Sequence, residues 1–210
     1  MRTTAMCIAL LSLGALNYTC ASPLDAYRAG ENTIRPIAVK LARDAVRAQV
    51  AGRCLTMPSR LPEVFRTRAA VFVTIAKNGR RRGCKGVFEP VTDNLAAEIV
   101  RAAVGAATAD IRYRPIRRNE LDQLTFTVSI VGPLKRVEDT NACSPGDHGL
   151  LLRSGDTSGV ILPGEAKTSA WGLAEAKRQA GIRSGEPYEL YVFETLALHE
   201  TTGAPSKRRK

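Results

Sequence analysis

The sequence predicts the α+β fold class: a single compact domain in which antiparallel hairpins form a sheet and about three helices pack on them. Three observations support this prediction. The 210 residues are enough for one well-buried domain, and 44% hydrophobic with 24% charged residues is an ordinary globular composition. Apolar residues recur at helical spacing in some segments and alternate with polar residues in others. Hairpins mixed with separate helices are typical of the α+β class.

Three segments have the spacing of amphipathic helices. The first begins at Thr33, and its apolar residues follow at steps of three and four until Gly52 ends it. The second has an apolar face from Leu95 to Ala107, and Thr92 can cap its start. The third runs from Thr168 to Gln179, and a glycine ends it. We expect the only tryptophan, in this third helix, to fill the core.

Strands are predicted where short segments alternate or are bounded by turn residues: 70–76, 81–88, 124–131, 150–153, 160–162 and 188–198. The first two are joined by Asn78-Gly79, a strong hairpin signal because both central positions of a type I′ turn need positive φ. The segment 188–198 is expected to be one long last strand.

The two ends of the chain are predicted to lie outside this domain. Residues 1–21 combine Arg2, a short apolar run and small residues around Cys20, which is the pattern of a signal peptide. The sequence therefore predicts an exported protein, periplasmic or secreted. A lipoprotein attached through Cys20 is the less favoured form, and a misassigned start codon with a cytoplasmic protein is the alternative. Residues 22–32 are predicted to be a linker, 33–198 the domain, and 199–210 a basic disordered tail.

The net charge of +11 favours anionic partners. Without Arg2 and the four basic residues at 207–210, basic residues still exceed acidic ones by six. A small anionic ligand is therefore a candidate partner. Nucleic acid is disfavoured, because aromatic residues that stack on bases are not interleaved with the basic ones.

The cysteine count bounds the redox and metal chemistry. Beyond the signal peptide the chain keeps Cys54, Cys84 and Cys143, with no CxxC or HxxxH spacing and only two histidines. We therefore expect no metal site and no cofactor. In an exported protein one disulfide would leave one free thiol, and pairing Cys54 with Cys143 would leave Cys84 free.

The run of residues 80–86 has the sequence RRRGCKG and places Cys84 in the middle of a strand. Nearby positive charge stabilises a thiolate, so Cys84 is a candidate nucleophile with His148 as its base. The alternative is a small buried residue whose flanking glycines admit a neighbouring helix. Similarly, His148 is a good turn residue as well as a candidate base. The candidate ligand-binding residues are Arg82, Gly83, Gly86 and Arg112.

Strand alternation bears on this run, because successive side chains point to opposite faces of a sheet. It predicts Arg82, Cys84 and Gly86 on one face. Arg81 and Lys85 are then expected on the other face, across the sheet from the thiol.

The segment VFVTI at 71–75, a hairpin and then RRGCKG at 81–86 resembles the AMMECR-one domain, whose hallmark is an LRGCIG hexapeptide after such a strand. Further matching segments follow in the family's order: Arg101 to Asp110, Arg112 to Pro115, Glu120-Leu121, Val128 to Ile130, Gly146 to Leu150, Leu162-Pro163 and Trp171. The resemblance implies a compact α+β fold and a relationship to protein A of the three-part AmmeMemoRadiSam system. The partners that it implies are a Memo-type protein and a radical SAM protein, and it implies no settled biochemical activity.

Two functions follow from the residues and the resemblance together. The favoured one is an accessory or ligand- or partner-binding domain with a cleft around the Arg82-Gly83-Cys84-Lys85-Gly86 strand. The alternative is a cysteine-dependent enzyme acting on a small anionic or carbonyl substrate, with Cys84 as nucleophile.

Overall fold

The computed structural model describes residues 22–141 and 143–201. The predicted signal peptide, 1–21, and residues 202–210 of the predicted tail lie outside this range. The helices and strands follow in the order α1 (Asp25–Ala29), α2 (Glu31–Val50), β1 (Val71–Lys77), β2 (Arg80–Gly86), α3 (Leu95–Thr108), β3 (Leu124–Val131), β4 (Lys135–Val137), β5 (Gly149–Ser154), β6 (Thr157–Ile161), α4 (Ser169–Ala180), β7 (Glu189–Phe193) and β8 (Thr195–His199). Short 3-10 turns lie at Glu63–Arg66 and Arg118–Gln123.

The predicted α+β class is confirmed, with two antiparallel sheets in one compact domain. The first sheet has the strand order β2-β1-β3-β8, and the second has the order β4-β7-β5-β6. Helices α2 and α3 pack on one face of the first sheet, and α4 packs on the second sheet. Among the described helices, none is both long and apolar enough to cross a lipid bilayer.

Alternation in β1 and β3 builds the main core. Val73 and Ile75 of β1 and Val128 of β3 point toward the helices and are fully buried. The small apolar face of α3, from Leu95 to Ala107, lies against them, and alanines let the helix backbone come close to the sheet. Full burial of an aliphatic side chain stabilises the fold by about 1.5–3 kcal/mol, so this layer holds the first sheet in place.

The first hairpin forms as predicted. Asn78 and Gly79 have φ of 51° and 75°, the positive values that this turn requires. The third predicted helix also ends as expected, at Gly181 with φ of 70°.

The helix starts differ from the prediction in two places. Asn94, not Thr92, caps α3 by accepting a hydrogen bond from the Ala97 N–H at 2.9 Å. Thr92 instead donates its hydroxyl to the buried Glu98 carboxylate at 2.9 Å. The predicted linker 22–32 is mostly helical, because Leu24 is buried in the main core and so provides apolar contacts that a solvated linker would lack.

The predicted single strand 188–198 is wrong, because the segment supplies a strand to each sheet. β7 pairs with β4 and β5, and β8 pairs with β3. The chain changes sheet at Glu194, whose carbonyl accepts a hydrogen bond from the Gly132 N–H at 2.9 Å. Val192 and Phe193 are both buried, which breaks strand alternation and marks this crossing.

Three smaller expectations also need correction. Trp171 does not fill the core, since half of it is exposed on α4. Cys54, Cys84 and Cys143 are all free thiols, so the expected bridge between Cys54 and Cys143 is absent. The folded region extends beyond residue 198, because Glu200 accepts hydrogen bonds from Arg43 at 2.6 to 2.9 Å.

Candidate functional site

A β-bulge in β2 decides which side chains of the RRRGCKG run face the second sheet. Thr74 pairs with Cys84 and Ile75 with Gly83, but Ala76 pairs with Arg81, which leaves Arg82 without an opposite residue. One extra residue shifts the alternation of the strand at that point. Arg81 and Cys84 therefore line the same cleft, and the predicted separation of Arg81 from the thiol is wrong.

Arg82 lies away from this cleft. Its Nε and Nη2 donate to the two carboxylate oxygens of Glu120 at 3.0 Å, and its Nη1 donates to the Arg114 carbonyl at 2.8 Å. These hydrogen bonds from Arg82 are the largest cause that lowers the pKa of Glu120 to about 2. Lys77 donates a further hydrogen bond to the same carboxylate. Arg82 thus fastens the 3-10 turn before β3 to the first hairpin.

The two glycines of the run serve close packing. A Cβ on Gly83 would lie 2.2 Å from the Ala106 carbonyl oxygen, because the backbone of α3 passes directly over β2. A Cβ on Gly86 would lie 2.4 Å from the ring of Phe72. Of the two, Gly86 also lines the cleft. The Gly83 contact agrees with the alternative that a flanking glycine admits a neighbouring helix, whereas Gly86 admits the ring of Phe72 from the neighbouring strand.

The cleft has a volume of about 560 Å³ and lies between β2, the loop after α3, β6 and α4. Both sheets contribute to it, with Phe72 from the first and Leu162, just after β6, on its apolar floor beside Cys84. Its wall carries seven charged side chains, Arg81, Lys85, Asp110, Arg112, Glu165, Glu175 and Arg178. Such a hollow, partly apolar with a few convergent charges, has the features of a ligand site.

Asp110 holds one side of the cleft together. It accepts the backbone N–H of Cys84 at 2.8 Å, and Nε and Nη2 of Arg112 at 2.8 Å each. Burial would raise the pKa of Asp110, but the hydrogen bonds from Arg112 and Cys84 outweigh it and hold that pKa below its ordinary value. Since β2 is an edge strand, this carboxylate also satisfies an outward backbone donor. Arg112 is thereby fixed at the mouth of the cleft with 45% of its side chain exposed.

The thiol of Cys84 is not activated. Burial raises its pKa above the ordinary value, against the hydrogen bond that Thr74 Oγ1 donates to Sγ at 3.3 Å. The nearby Glu165 carboxyl raises this pKa further, against the smaller lowering effects of Arg81 and Arg112. A thiol, rather than a thiolate, is therefore the resting form at neutral pH.

His148 does not pair with Cys84. It lines a neighbouring groove of about 750 Å³, and its Nδ1 accepts the Ser144 N–H at 3.1 Å. This contact assigns the ring proton to Nε2. In residues 22–141 and 143–201, the one hydrogen-bond partner of the Cys84 sulfur is Thr74. The structure thus places the two proposed catalytic residues in adjacent hollows, without a contact between them.

Sequence reasoning missed Glu165, although it lines both hollows. Its side chain is 18% exposed and forms an ion pair with Arg81 across the cleft. Burial raises the pKa of Glu165, and the Arg81 charge opposes that rise only in part. In the sequence, the signal that Glu165 belongs to the site was its position just after Leu162-Pro163, one of the segments that carry the family resemblance.

In residues 22–141 and 143–201, no group of three or more His, Cys, Asp or Glu side chains is arranged to hold a metal ion. Six of the seven charged groups of the cleft are instead paired with one another, Arg81 with Glu165, Arg112 with Asp110 and Arg178 with Glu175.

Comparison with known proteins agrees with the motifs. The AMMECR1 family model matches residues 39–198. A protein of Methanothermobacter thermautotrophicus is 34% identical over 180 residues, which cover 77% of this chain and 92% of that protein. A protein of Thermotoga maritima is 34% identical over 169 residues, which cover 78% of this chain and 95% of that protein. The crystal structure of the uncharacterized protein PH0010 from Pyrococcus horikoshii is similar with a TM-score of 0.67 and 27% identity, over 78% of this chain and 89% of that one. The resemblance is thereby confirmed, and the chain belongs to the AMMECR1 family.

Proposed function

We propose that this AMMECR1-family protein is a non-catalytic binding domain that takes a small anionic ligand in the cleft beside Cys84. The observation that carries the proposal is the convergence of cations from separate elements on this one hollow. Arg81 and Lys85 come from β2, Arg112 from the loop after α3, and Arg178 from α4. Four cations face three carboxylates there, so the wall carries a net positive charge.

Lys85 and Arg112 are the groups best placed to meet the ligand first. Lys85 is exposed and, in the described part of the chain, forms no ion pair, while its stem packs against α3 at Gly105. Arg112 keeps almost half of its side chain exposed while Asp110 fixes its orientation. An oriented guanidinium binds carboxylate or phosphate oxygens with little loss of side-chain entropy.

The state of Cys84 supports binding over catalysis. A cysteine nucleophile needs a low pKa or an adjacent base, and Cys84 has a raised pKa and a threonine hydroxyl as its partner. Cys84 also packs against the apolar cluster between the two sheets, with Phe72 and Leu162 among its members. A small, partly buried sulfur in that position fills space on the floor of the cleft.

Calorimetric titration with succinate, citrate and inorganic phosphate tests the proposal. We expect saturable binding of at least one of these anions. Lys85→Gln should weaken it about tenfold or more, since a hydrogen bond to a charged group contributes about 1.5–3 kcal/mol. Lys135→Gln is the matched control, because Lys135 is exposed on β4 and does not line the cleft. The Lys135 variant should bind like the wild type.

Cys84→Ser separates binding from catalysis. The binding proposal expects this variant to keep its affinity within a few-fold and to support the cellular role. Loss of a cellular role with anion affinity unchanged would favour the cysteine-dependent enzyme instead. Absence of saturable binding for every anion would contradict the proposed function.

A further inference from the structure

One ion pair crosses the cleft and joins the two sheets. Arg81 extends from β2 of the first sheet, and Glu165 extends from the loop after β6 of the second sheet. Their side chains are 31% and 18% exposed. The second Glu165 oxygen accepts the Leu162 N–H at 3.2 Å. One cation of the proposed anion site, Arg81, is therefore already paired with a carboxylate of the protein itself.

We propose that the ligand of this cleft is a carboxylate, that it replaces Glu165 on Arg81, and that Glu165 takes up one proton from solvent as it does so. The inference rests on the proposed function and adds its ligand class and its control by pH. No covalent bond of the ligand forms or breaks: the ionised Glu165 carboxylate plus one proton becomes the neutral carboxylic acid.

The pairing already present argues for a carboxylate ligand. Both arginines that flank Cys84 hold a carboxylate of the protein, Arg81 that of Glu165 and Arg112 that of Asp110. The planar guanidinium fork matches the two oxygens of a carboxylate. Of the two, Asp110 is also held by the Cys84 backbone and so stays in place. Glu165 accepts one backbone bond within its own loop and is the carboxylate that a ligand can replace.

The charges around Glu165 argue for the proton. Arg81 of β2 and Arg112 of the loop after α3 act on Glu165 from the cleft side. Other titratable and charged groups of the two hollows next to Glu165 are Cys84, Lys85, Asp110, Glu175 and Arg178 in the cleft and Asp147 and His148 in the groove. Burial already raises the pKa of Glu165, against the effect of Arg81. A ligand carboxylate that binds Arg81 removes this cation from Glu165 and adds a second negative charge beside Glu165. Two carboxylates in one partly buried place do not both stay ionised, so Glu165 is protonated.

The same proton improves the site for the ligand. Neutral Glu165 no longer repels the incoming anion, and its O–H can donate a hydrogen bond to a ligand oxygen. Hydrogen bonds from a carboxylic acid to a carboxylate are among the short, strong ones. Because the bound complex holds one proton more than the free protein, affinity must fall as pH rises.

Succinate titrations across about pH 6.5 to 8.5, in two buffers of different ionisation enthalpy, test this inference. The wild type should lose affinity by up to about tenfold per pH unit and take up about one proton per succinate. Glu165→Gln keeps a neutral amide at this position, so its affinity should be flat with pH and higher than that of wild type at the alkaline end. His148→Gln, the control in the adjoining groove, should keep the wild-type slope.

Arg81→Gln gives a second, independent readout. It should weaken succinate binding at least tenfold, because the ligand carboxylate then has no guanidinium to take over from Glu165. Far-UV circular dichroism checks that each variant is folded. A wild-type slope retained in Glu165→Gln, or wild-type affinity that is flat with pH, overturns the inference while the proposed function stands. Phosphate binding more tightly than succinate overturns the ligand class. Failure of the proposed function looks different, because none of succinate, citrate and inorganic phosphate then saturates the wild type or any variant.

Discussion

Gly83→Ala should destabilise the protein through one contact between β2 and α3. The added Cβ would lie 2.2 Å from the Ala106 carbonyl oxygen, whereas ordinary Cβ contacts begin at 3.4 Å. The strand and the helix must therefore separate by about 1.2 Å. Overpacking costs about 1–3 kcal/mol, and a backbone obstacle places this case at the upper end. Alanine also stiffens the unfolded chain, which offsets about 0.4–1 kcal/mol and leaves about 2 kcal/mol.

Urea unfolding followed by circular dichroism at about 222 nm measures this loss as a lower midpoint of the urea transition. Thermal unfolding should show a fall in Tm of about 4–8 °C for a domain of this size. Gly146→Ala is the matched control, since nothing lies within 4 Å of the added Cβ. It should change the free energy of unfolding by less than about 0.5 kcal/mol. If Gly83→Ala is as stable as Gly146→Ala, the packing explanation for this glycine is wrong.

Two further predictions concern Cys84 and Glu120. In iodoacetamide labelling mapped by mass spectrometry at neutral pH, the exposed Cys54 should react well before Cys84, whose pKa is raised by burial; faster labelling of Cys84 would restore the nucleophile hypothesis. Glu120→Gln should lower the free energy of unfolding at neutral pH by about 2 kcal/mol, because it weakens the bonds to Arg82. The pKa of Glu120 is about 2 in the folded protein against an ordinary 4.5. Its contribution to the free energy of unfolding is therefore fully present above pH 4.5 and is lost as the pH falls through about 2. The Glu120→Gln variant should lack this part of the acid transition. An acid transition identical in the variant and the wild type would refute that assignment.

Local signals in the sequence were sufficient for most elements. The Asn78-Gly79 turn, the end of α4 at Gly181 and the alternation of β3 each depend on residues within a few positions of one another. Their physical causes, a turn that needs positive φ and a period-two apolar pattern, are encoded within a few residues of the chain. These elements were therefore predictable from the sequence alone.

The features that failed depend on contacts between distant segments. The bulge that turns Arg81 toward Cys84 exists because β1 and β2 pair with one residue in excess, which no local pattern reveals. Glu165 reaches Arg81 only because the loop after β6 returns to the first sheet. Local motifs in the sequence pointed to Cys84 and Arg112 as cleft residues, whereas for Glu165 the one signal was its position just after Leu162-Pro163.

The hydrogen bond between Gly132 and Glu194 has a topological consequence. β3 and β8 are neighbours in the first sheet, and all of residues 133–193, with the second sheet and α4, are inserted between them. The insertion enters and leaves through two chain segments that touch each other at that 2.9 Å bond. A rotation of the insertion about this paired crossing would widen the cleft, and the packing of Phe193 on the ring of Phe88 opposes it. A ligand that binds both Arg81 and the loop of Glu165 would therefore hold the first sheet and the insertion together.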